Sequence, residues 1–231
     1  MTPIHNYIGQ GSLAHDAQIK SKLRVTNHGE VFTHEREVKG MLDLVKNETE
    51  RLDSRFLEPA CGTGNFLAEV LNRKLAVLKK KYEKSQPEYE KYGIIVISSL
   101  YGIDLLEDNV AECRNRLLEI FEKEYKFIFK HEVNEKYINV LKYLLEKNIE
   151  CGDALTMKNK KGNPLIFSEW SMPFNDVRIK QKEYTFKDIF SPTLLWSFTT
   201  NSDTGESVML PNVYKDHELV NYMELGNNEK D

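Results

Sequence analysis

Hydrophobic and polar positions along the chain follow two periods, and this pattern predicts a mixture of strands and helices. A short apolar segment, Phe56 and Leu57, ends in Glu58 and is followed by a glycine-containing turn, Cys61–Gly64. Apolar residues then recur at helical spacing over Phe66–Lys79. The order of strand, glycine turn and helix is typical of a loop that holds a small polar ligand, because glycines let the backbone approach it closely.

The glycine turn by itself leaves two interpretations open. It has one glycine fewer than the G-x-G-x-x-G dinucleotide fingerprint and no Lys-Ser/Thr for a triphosphate, so a pyrophosphate is not the obvious ligand. A bare G-x-G also occurs in loops that bind nothing. A nucleoside-like ligand and a plain loop turn are both compatible with these residues.

A helix is predicted upstream of this turn. Val38, Met41, Leu42 and Val45 recur at helical spacing, and Thr33 stands where it can cap the helix. We therefore expect a capped helix with these four apolar residues on one buried face. His34 is expected to be an exposed first-turn residue.

Downstream of the turn, strands and helices continue to alternate. The predicted elements are a strand or buried helix at 94–100, a strand ending at Asp104, a helix opening at Asp108-Asn109, a highly charged helical stretch over Glu122–Lys147, a strand around Ile149–Cys151, a strand within Pro164–Phe174 and a basic strand starting at Val177. Alternation of this kind predicts an α/β fold.

Composition and charge narrow the class of protein. Of 231 residues, 40% are hydrophobic and 29% are charged, as in an ordinary globular protein. The net charge of -4 excludes a uniformly cationic nucleic-acid-binding protein, so DNA-binding charge must be concentrated on one face or supplied by a partner. The apolar runs are too short to span a bilayer, and the N-terminal residues show no secretory signal. The three cysteines have no C-x-x-C spacing, so we expect a reduced, cytoplasmic setting.

The segment EPACGTGNF, residues 58–66, resembles the first motif of S-adenosylmethionine-dependent DNA methyltransferases, most closely the adenine-N6 enzymes of restriction-modification systems. GEVFTH, YGIDLLEDNV and NIECGDALT resemble other cofactor motifs of that family, with His34 in place of the usual proline. The resemblance implies a Rossmann-like methyltransferase fold of the α/β class, with a mostly parallel sheet flanked by helices. The resemblance covers about residues 28–190, the expected methyltransferase domain. The polar residues 1–27 predict an N-terminal arm, and residues 191–231 are expected to form a small C-terminal extension.

The same resemblance implies S-adenosyl-L-methionine as the cofactor. Phe32 and Thr33 would contact its methionine end, Asp104 its ribose and Asp153 its adenine amino group, while Leu155 would pack on the adenine ring. The implied cofactor-binding residues are Phe32, Thr33, Glu58, Pro59, Ala60, Cys61, Gly62, Gly64, Asn65, Phe66, Asp104, Leu105, Asp153, Ala154 and Leu155. From the residues alone, Asp104 could instead cap the following helix and Asp153 could cap a turn.

The catalytic motif of adenine-N6 family members, Asp/Asn-Pro-Pro-Tyr/Phe, is absent from the chain. In those enzymes it accepts hydrogen bonds from the target amine and stacks on a flipped base. Glu169 and Trp170 lie in the strand expected to carry it and are our candidates for a substitute catalytic pair. Core positions for Trp170 and Phe174 with an exposed Glu169 are the alternative. Asn163-Pro164 precedes the strand, so we do not interpret it as a displaced copy.

Two basic segments are candidates for contact with nucleic acid. The residues of the first are Arg178, Lys180 and Lys182, which alternate along one predicted strand. A hairpin edge protected by lysines is the alternative. The second, Lys79–Lys81, is either a solvated helix end or a phosphate contact.

Together these features predict a DNA adenine-N6 methyltransferase, or a modification subunit, of a restriction-modification or phage system. DNA is the expected substrate, a restriction or specificity subunit is a candidate partner, and no membrane is involved. A catalytically silent DNA-binding or partner subunit and a methyltransferase acting on RNA or protein are the alternatives. No metal ion is expected, because the histidines and cysteines show no ligand spacing.

Overall fold

The computed structural model describes residues 33–130, 133–174, 176–190, 197–200, 207–210 and 212–226. The predicted N-terminal arm, Phe32 and parts of the predicted C-terminal extension lie outside these residues. The helices are α1 (Glu35–Leu44), α2 (Lys46–Thr49), α3 (Asn65–Tyr82), α4 (Gln86–Ser98), α5 (Glu107–Phe129), α6 (Glu135–Asn148) and α7 (Phe186–Phe190). The strands are β1 (Phe56–Glu58), β2 (Leu100–Asp104), β3 (Ile149–Cys151), β4 (Ile166–Ser171), β5 (Arg178–Thr185), β6 (Ser197–Thr200), β7 (Ser207–Leu210), β8 (Lys215–Asp216) and β9 (Val220–Asn221), and a 3-10 helix follows at Tyr222–Glu224.

A parallel three-stranded sheet lies at the centre, with β2 between β1 and β3. Phe56 is in register with Leu100, and Gly102 is in register with Ile149. Helices α3 and α4 connect β1 to β2, and α5 and α6 connect β2 to β3. Both crossovers move the chain in the same direction, so right-handed connections place all four helices on one face of the sheet.

The two faces of the sheet belong to two different cores. Successive side chains of a strand point to opposite faces. Leu100 and Ile149 accordingly join the large core formed by the helices. Tyr101 and Ile103 join a smaller core, whose other buried members come from the β4–β5 region: Leu165, Phe167 and Phe186. Helices therefore cover one face, and the first part of β4 packs against the other with Phe186, while Trp170 and Ile179 of the β4–β5 hairpin join the large core.

Strand β4 runs antiparallel to the central strands. The amino end of β4 lies at the carboxyl end of β3, since Leu165 packs against Gly152 and the Leu165 N–H donates to the Met157 carbonyl at 3.0 Å. The carboxyl end of β4 lies at the amino end of β3, since the Trp170 Nε1–H donates to Asn148 Oδ1 at 2.9 Å. Strand β5 pairs antiparallel with β4 and also with β8 and β9. The prediction of a mostly parallel sheet is therefore confirmed for β1–β3 only.

The helices confirm some predictions and correct others. Residues 94–98 end α4 and lead into β2, so the helical interpretation of this segment is confirmed. The charged stretch predicted as one helix is two helices, since α5 ends at Phe129 and Asn134 caps α6 by accepting the Tyr137 N–H. Helix α1 begins after His34 rather than after Thr33. In the part of the chain that is described, no helix is both long and apolar enough to cross a membrane.

Candidate functional site

A cavity of about 440 Å³ opens at the carboxyl ends of β1, β2 and β3. Its volume is in the range of small-molecule sites, and parallel α/β sheets bind ligands at this end of their strands. Most of the predicted cofactor-binding residues line it: Thr33, Glu58, Pro59, Ala60, Cys61, Gly62, Asn65, Phe66, Asp104, Leu105, Asp153, Ala154 and Leu155. Gly64 adjoins these residues without lining the cavity, and Phe32 lies outside the described residues.

The glycine turn between β1 and α3 forms the floor of the cavity and needs its glycines. Gly62 and Gly64 have φ angles of 51° and 84°, a region that other residues adopt only at a cost. A Cβ on Gly64 would lie 2.7 Å from Cys113 Sγ of α5, so the turn also packs too closely there for a side chain. Helix α3 starts directly afterwards at Asn65, which places its unpaired first N–H groups near the cavity.

Asp104, at the end of β2, holds the glycine turn and the start of α5 in place. Its Oδ2 accepts the Gly62 N–H at 2.9 Å, and its Oδ1 accepts the Leu106 N–H at 2.9 Å and Asn109 Nδ2 at 3.2 Å. A carboxylate can accept about four hydrogen bonds, so one acceptor position is left for a ligand hydroxyl. The alternatives weighed for Asp104 are therefore compatible, because the side chain supports the helix start and lines the cavity.

Asp153, after β3, also has two roles, since it caps a turn and lines the cavity. Its Oδ1 accepts the Leu155 N–H at 2.8 Å and its Oδ2 accepts the Thr156 hydroxyl at 3.0 Å. These hydrogen bonds, the one from Leu155 foremost, lower the pKa of Asp153, so this carboxylate stays ionised at neutral pH. The turn projects Leu155 outward, and its side chain is 93% exposed at the rim. An exposed leucine beside a cavity offers apolar surface to a bound ring.

A third acid completes a negatively charged wall. Glu58, at the end of β1, is half-buried in the cavity, and burial raises the pKa of its carboxyl. Beside it, the Cys61 thiol is buried, and its hydrogen bond with Cys113, followed by burial, raises its pKa strongly. Three carboxylates around one cavity disfavour a phosphate and favour a ligand that brings positive charge and hydroxyl or amino donors.

The segment before α1 is tied to the glycine turn by Asn65. Its Nδ2 donates to the Thr33 carbonyl at 3.4 Å, and its Oδ1 accepts Arg116 Nη1 at 2.5 Å. Arg116 also donates to the Thr63 carbonyl at 3.4 Å. These contacts bring together the Thr33 element and the glycine turn, two motifs for which the family resemblance implies one ligand.

Four cavity residues were missed by the sequence analysis: Met41, Leu106, Asn109 and Gly152. Met41 fits the helical period of α1, so it was assigned to the buried face; only Val38 and Leu42 are buried there, whereas Met41 and Val45 are exposed. Asn109 was assigned to a helix start, and nothing in its neighbours along the chain signals the bond to Asp104. Gly152 is the residue that lets β4 approach, since a Cβ would lie 2.6 Å from Leu165.

The predicted catalytic pair does not lie at this cavity. Glu169 accepts Arg55 Nη2 at 2.7 Å and the Tyr184 hydroxyl at 3.1 Å, and Arg55 immediately precedes β1. Trp170 is 8% exposed in the main core and bonds to Asn148, before β3. Both residues are therefore at the amino ends of the parallel strands, roughly 15 Å from the cavity at about 3.3 Å per strand residue. The structure therefore places both residues away from the cavity, with Trp170 in the core and Phe174, the other predicted core aromatic, 59% exposed. A catalytic role for Glu169 and Trp170 stays a prediction.

The basic strand is also remote from the cavity. Ile179 and Gln181 are buried, so Arg178, Lys180 and Lys182 do share the outer face of β5, as predicted. Acidic side chains lie beside the basic residues of this face. Arg178 Nη2 is 2.7 Å from Asp176 Oδ2 and Lys180 Nζ is 2.5 Å from Asp216 Oδ1, while Lys182 is in register with Glu169 and Asp216. This arrangement fits a charge-protected hairpin, and the nucleic-acid role of these residues stays a prediction.

One family of known proteins accounts for the cavity motifs together. The model of the MmeI DNA-methyltransferase domain matches residues 33–168, more than half of the chain. The chain belongs to the MmeI DNA-methyltransferase domain family. The matched range of the MmeI domain includes every residue that lines the cavity and ends just before Glu169.

A second comparison, with curated proteins, gives a relative of this chain. A putative type II restriction enzyme and methyltransferase of Methanocaldococcus jannaschii is 30% identical over 125 residues. The alignment covers 52% of this chain and 10% of the relative, so this MmeI-type domain spans about a tenth of that protein's length. No solved structure matches the chain.

Proposed function

We propose that this chain is an S-adenosylmethionine-dependent DNA methyltransferase of a restriction-modification system, acting on the N6 amine of adenine. The observation that carries the proposal is the carboxylate-lined cavity at the ends of β1, β2 and β3, in a member of the MmeI DNA-methyltransferase domain family. The restriction-modification setting is supported by the relative's description as a restriction enzyme and methyltransferase.

The donor and acceptor groups of the cavity fit S-adenosylmethionine. Asp104 offers a free acceptor position for ribose hydroxyls, and Asp153 accepts from an amino group such as that of adenine. Glu58 places negative charge where a ligand with cationic sulfonium and ammonium groups gains from it. Leu105 and Leu155, 49% and 93% exposed, provide apolar surface on which the adenine ring can be buried.

In this proposal, the residues of the chain bind the cofactor and orient it for methyl transfer. S-adenosylmethionine would supply an already activated methyl group. The glycine turn and Asp104 hold the binding site rigid through the Gly62 hydrogen bond, which limits the entropy lost on closure around a ligand. Positioning of this kind supplies a large part of the rate in group transfer.

The acceptor side requires a further element. The chain contains no Asp/Asn-Pro-Pro-Tyr/Phe motif, and Glu169 lies at the opposite end of the sheet from the cavity. Among the strands that are described, β1 pairs with β2 alone, so its outer edge has no neighbour in the sheet. We therefore propose, as a second candidate function, that the chain is the cofactor-binding part of an assembly in which a separate domain or partner subunit supplies the acceptor-binding element.

Transfer of labelled methyl groups distinguishes the two candidates. The protein is incubated with methyl-labelled S-adenosylmethionine and unmethylated bacterial DNA, and the DNA is digested to nucleosides. Label in N6-methyladenine supports the first candidate; label in a methylated cytosine contradicts the adenine assignment. Cofactor binding without transfer supports the second.

Two variants control this experiment. Asp153→Ala removes a cavity carboxylate and should lower both cofactor affinity and transfer. Glu119→Gln removes an acid that is exposed on α5 outside the cavity and should leave both unchanged. Equal behaviour of the two variants would contradict the assignment of the cavity.

A further inference from the structure

Three lysines lie on a turn that leaves the cavity wall. The segment 157–163, here called the basic turn, contains Lys158, Lys160 and Lys161, all of them exposed. It starts directly after Leu155 and Thr156 and returns to the first residue of the β4 region, Leu165. Because Asp153 and Leu155 line the cavity, the basic turn stands beside its opening.

The basic turn has a fixed backbone. The Asp153 N–H donates to the Lys158 carbonyl at 2.9 Å, and the Asn159 N–H donates to the Asn163 carbonyl at 2.8 Å. The side chain of Asn159 accepts the N–H groups of Lys161 and Asn163 at 3.0 and 3.1 Å. A turn held by its own backbone loses little conformational freedom when its side chains bind a ligand.

The charges of the basic turn are available for a partner. Over the described part of the chain, neither Lys158 nor Lys161 has a carboxylate within 4.0 Å, and Lys160 has one weak pairing, with Glu107 at 3.3 Å. Both groups of that pair are more than half exposed, so it contributes little and can exchange for another anion. The cations of β5 differ, since Arg178 and Lys180 are engaged with Asp176 and Asp216.

We infer that the basic turn contacts the phosphate backbone of DNA and holds the duplex over the cofactor cavity. The inference rests on the proposed function and names the surface that the substrate uses. DNA carries one negative charge per about 1.7 Å of its axis, and the cavity acids Glu58, Asp104 and Asp153 repel it. In a chain of net charge -4, a concentrated cationic segment at the cavity mouth offsets that repulsion where the target base must enter.

Salt dependence of DNA binding tests the assignment. The turn variant carries Lys158→Gln, Lys160→Gln and Lys161→Gln. The matched control carries Lys123→Gln, Lys136→Gln and Lys142→Gln, which remove three exposed lysines of α5 and α6 outside the cavity. A fluorescent DNA duplex is titrated with each protein at several salt concentrations by anisotropy, and S-adenosylmethionine is titrated separately by calorimetry.

The two variants are expected to differ in slope. Each lost phosphate contact makes the plot of log K against log salt concentration shallower by about 0.9, so the turn variant should lose about 2 to 3 from the wild-type slope. The control should keep the wild-type slope, and both variants should keep the wild-type cofactor affinity. An unchanged slope in the turn variant, or an equal loss in both variants, overturns the proposal. Cofactor binding by a wild-type protein that shows no DNA binding also overturns it, whereas failure to bind the cofactor overturns the proposed function.

Discussion

Replacing Gly64 with alanine tests the geometry of the glycine turn. A Cβ at this position would lie 2.7 Å from Cys113 Sγ and 3.5 Å from Cys113 Cα, and the residue has a φ of +84°. Two separate costs are therefore expected: the left-handed backbone conformation and the overlap with the sulfur atom. Both costs destabilise the folded state, and the overlap displaces either the turn or α5.

The magnitudes can be separated with other glycines of the same chain. Gly162 has a φ of +80° with nothing within 4 Å of a Cβ, so Gly162→Ala carries the conformational cost alone, about 1–2 kcal/mol. Gly40 lies within α1 with open space around it, so Gly40→Ala should stabilise the protein by up to about 1 kcal/mol. Overpacking adds about 1–3 kcal/mol to Gly64→Ala, for a total of about 2–5 kcal/mol.

Denaturant unfolding of four proteins measures the overlap directly. A double-mutant cycle of Gly64→Ala with Cys113→Ala removes the sulfur that the new methyl group would meet. We expect a favourable coupling of about 1–2 kcal/mol, since the remaining Cys113 atoms lie at ordinary contact distance of 3.5 Å. A loss for Gly64→Ala no larger than that for Gly162→Ala, together with zero coupling, would refute the packing described for this turn.

Three further predictions concern the cavity rim, the core and the predicted catalytic pair. Leu155→Ala should weaken S-adenosylmethionine binding about fivefold through lost apolar burial and leave unfolding unchanged, because the side chain is 93% exposed; equal affinity in calorimetry would contradict the adenine contact. Burial lowers the pKa of Lys74 to about 7 from 10.5, so between these pH values the unfolded state binds more protons than the folded state. The free energy of unfolding should therefore rise with pH in this range, by up to about 1.4 kcal/mol per pH unit. Lys74→Met should flatten this slope, and parallel pH profiles of denaturation for the variant and the wild-type protein would contradict the prediction. Trp170→Phe should cost about 1–3 kcal/mol by leaving Asn148 Oδ1 unpaired, and Glu169→Gln should keep methyl transfer; loss of transfer in Glu169→Gln with cofactor affinity intact would restore its catalytic role.

Much of the cavity lining could be predicted because its signals are local. The turn from Glu58 to Asn65 needs glycines for its backbone, and acids at strand ends are marked by the change from apolar to polar residues. Asp104 was found in this way and Asp153 through the family resemblance of its motif, and both line the cavity. The residues missed, such as Met41 and Asn109, take their places through contacts between elements that one segment of sequence does not encode.

The direction of β4 could not be derived from the strand itself. Residues 166–171 have the period of a strand whether they run parallel or antiparallel to β3, and the choice decides which end meets the cavity. The connection 152–165 did contain a signal, since it shows no helical period, and a parallel crossover usually needs a helix. That signal would have placed Glu169 and Trp170 away from the cavity.

The break between α5 and α6 was hidden for a different reason. Lys130 adopts a φ of 46° without being a glycine, and no proline marks the site, so the charged stretch reads as continuous. Asn134 is the informative residue, because its side chain caps α6 through the Tyr137 N–H at 3.2 Å.

Calorimetric titration of the protein with S-adenosylmethionine tests the assignment of the cavity most directly. We expect one saturable site in the wild-type protein, weakened in Asp153→Ala and unchanged in Glu119→Gln. Absence of binding by the wild-type protein, or equal affinity in Asp153→Ala, would contradict a cofactor site at the ends of β1, β2 and β3.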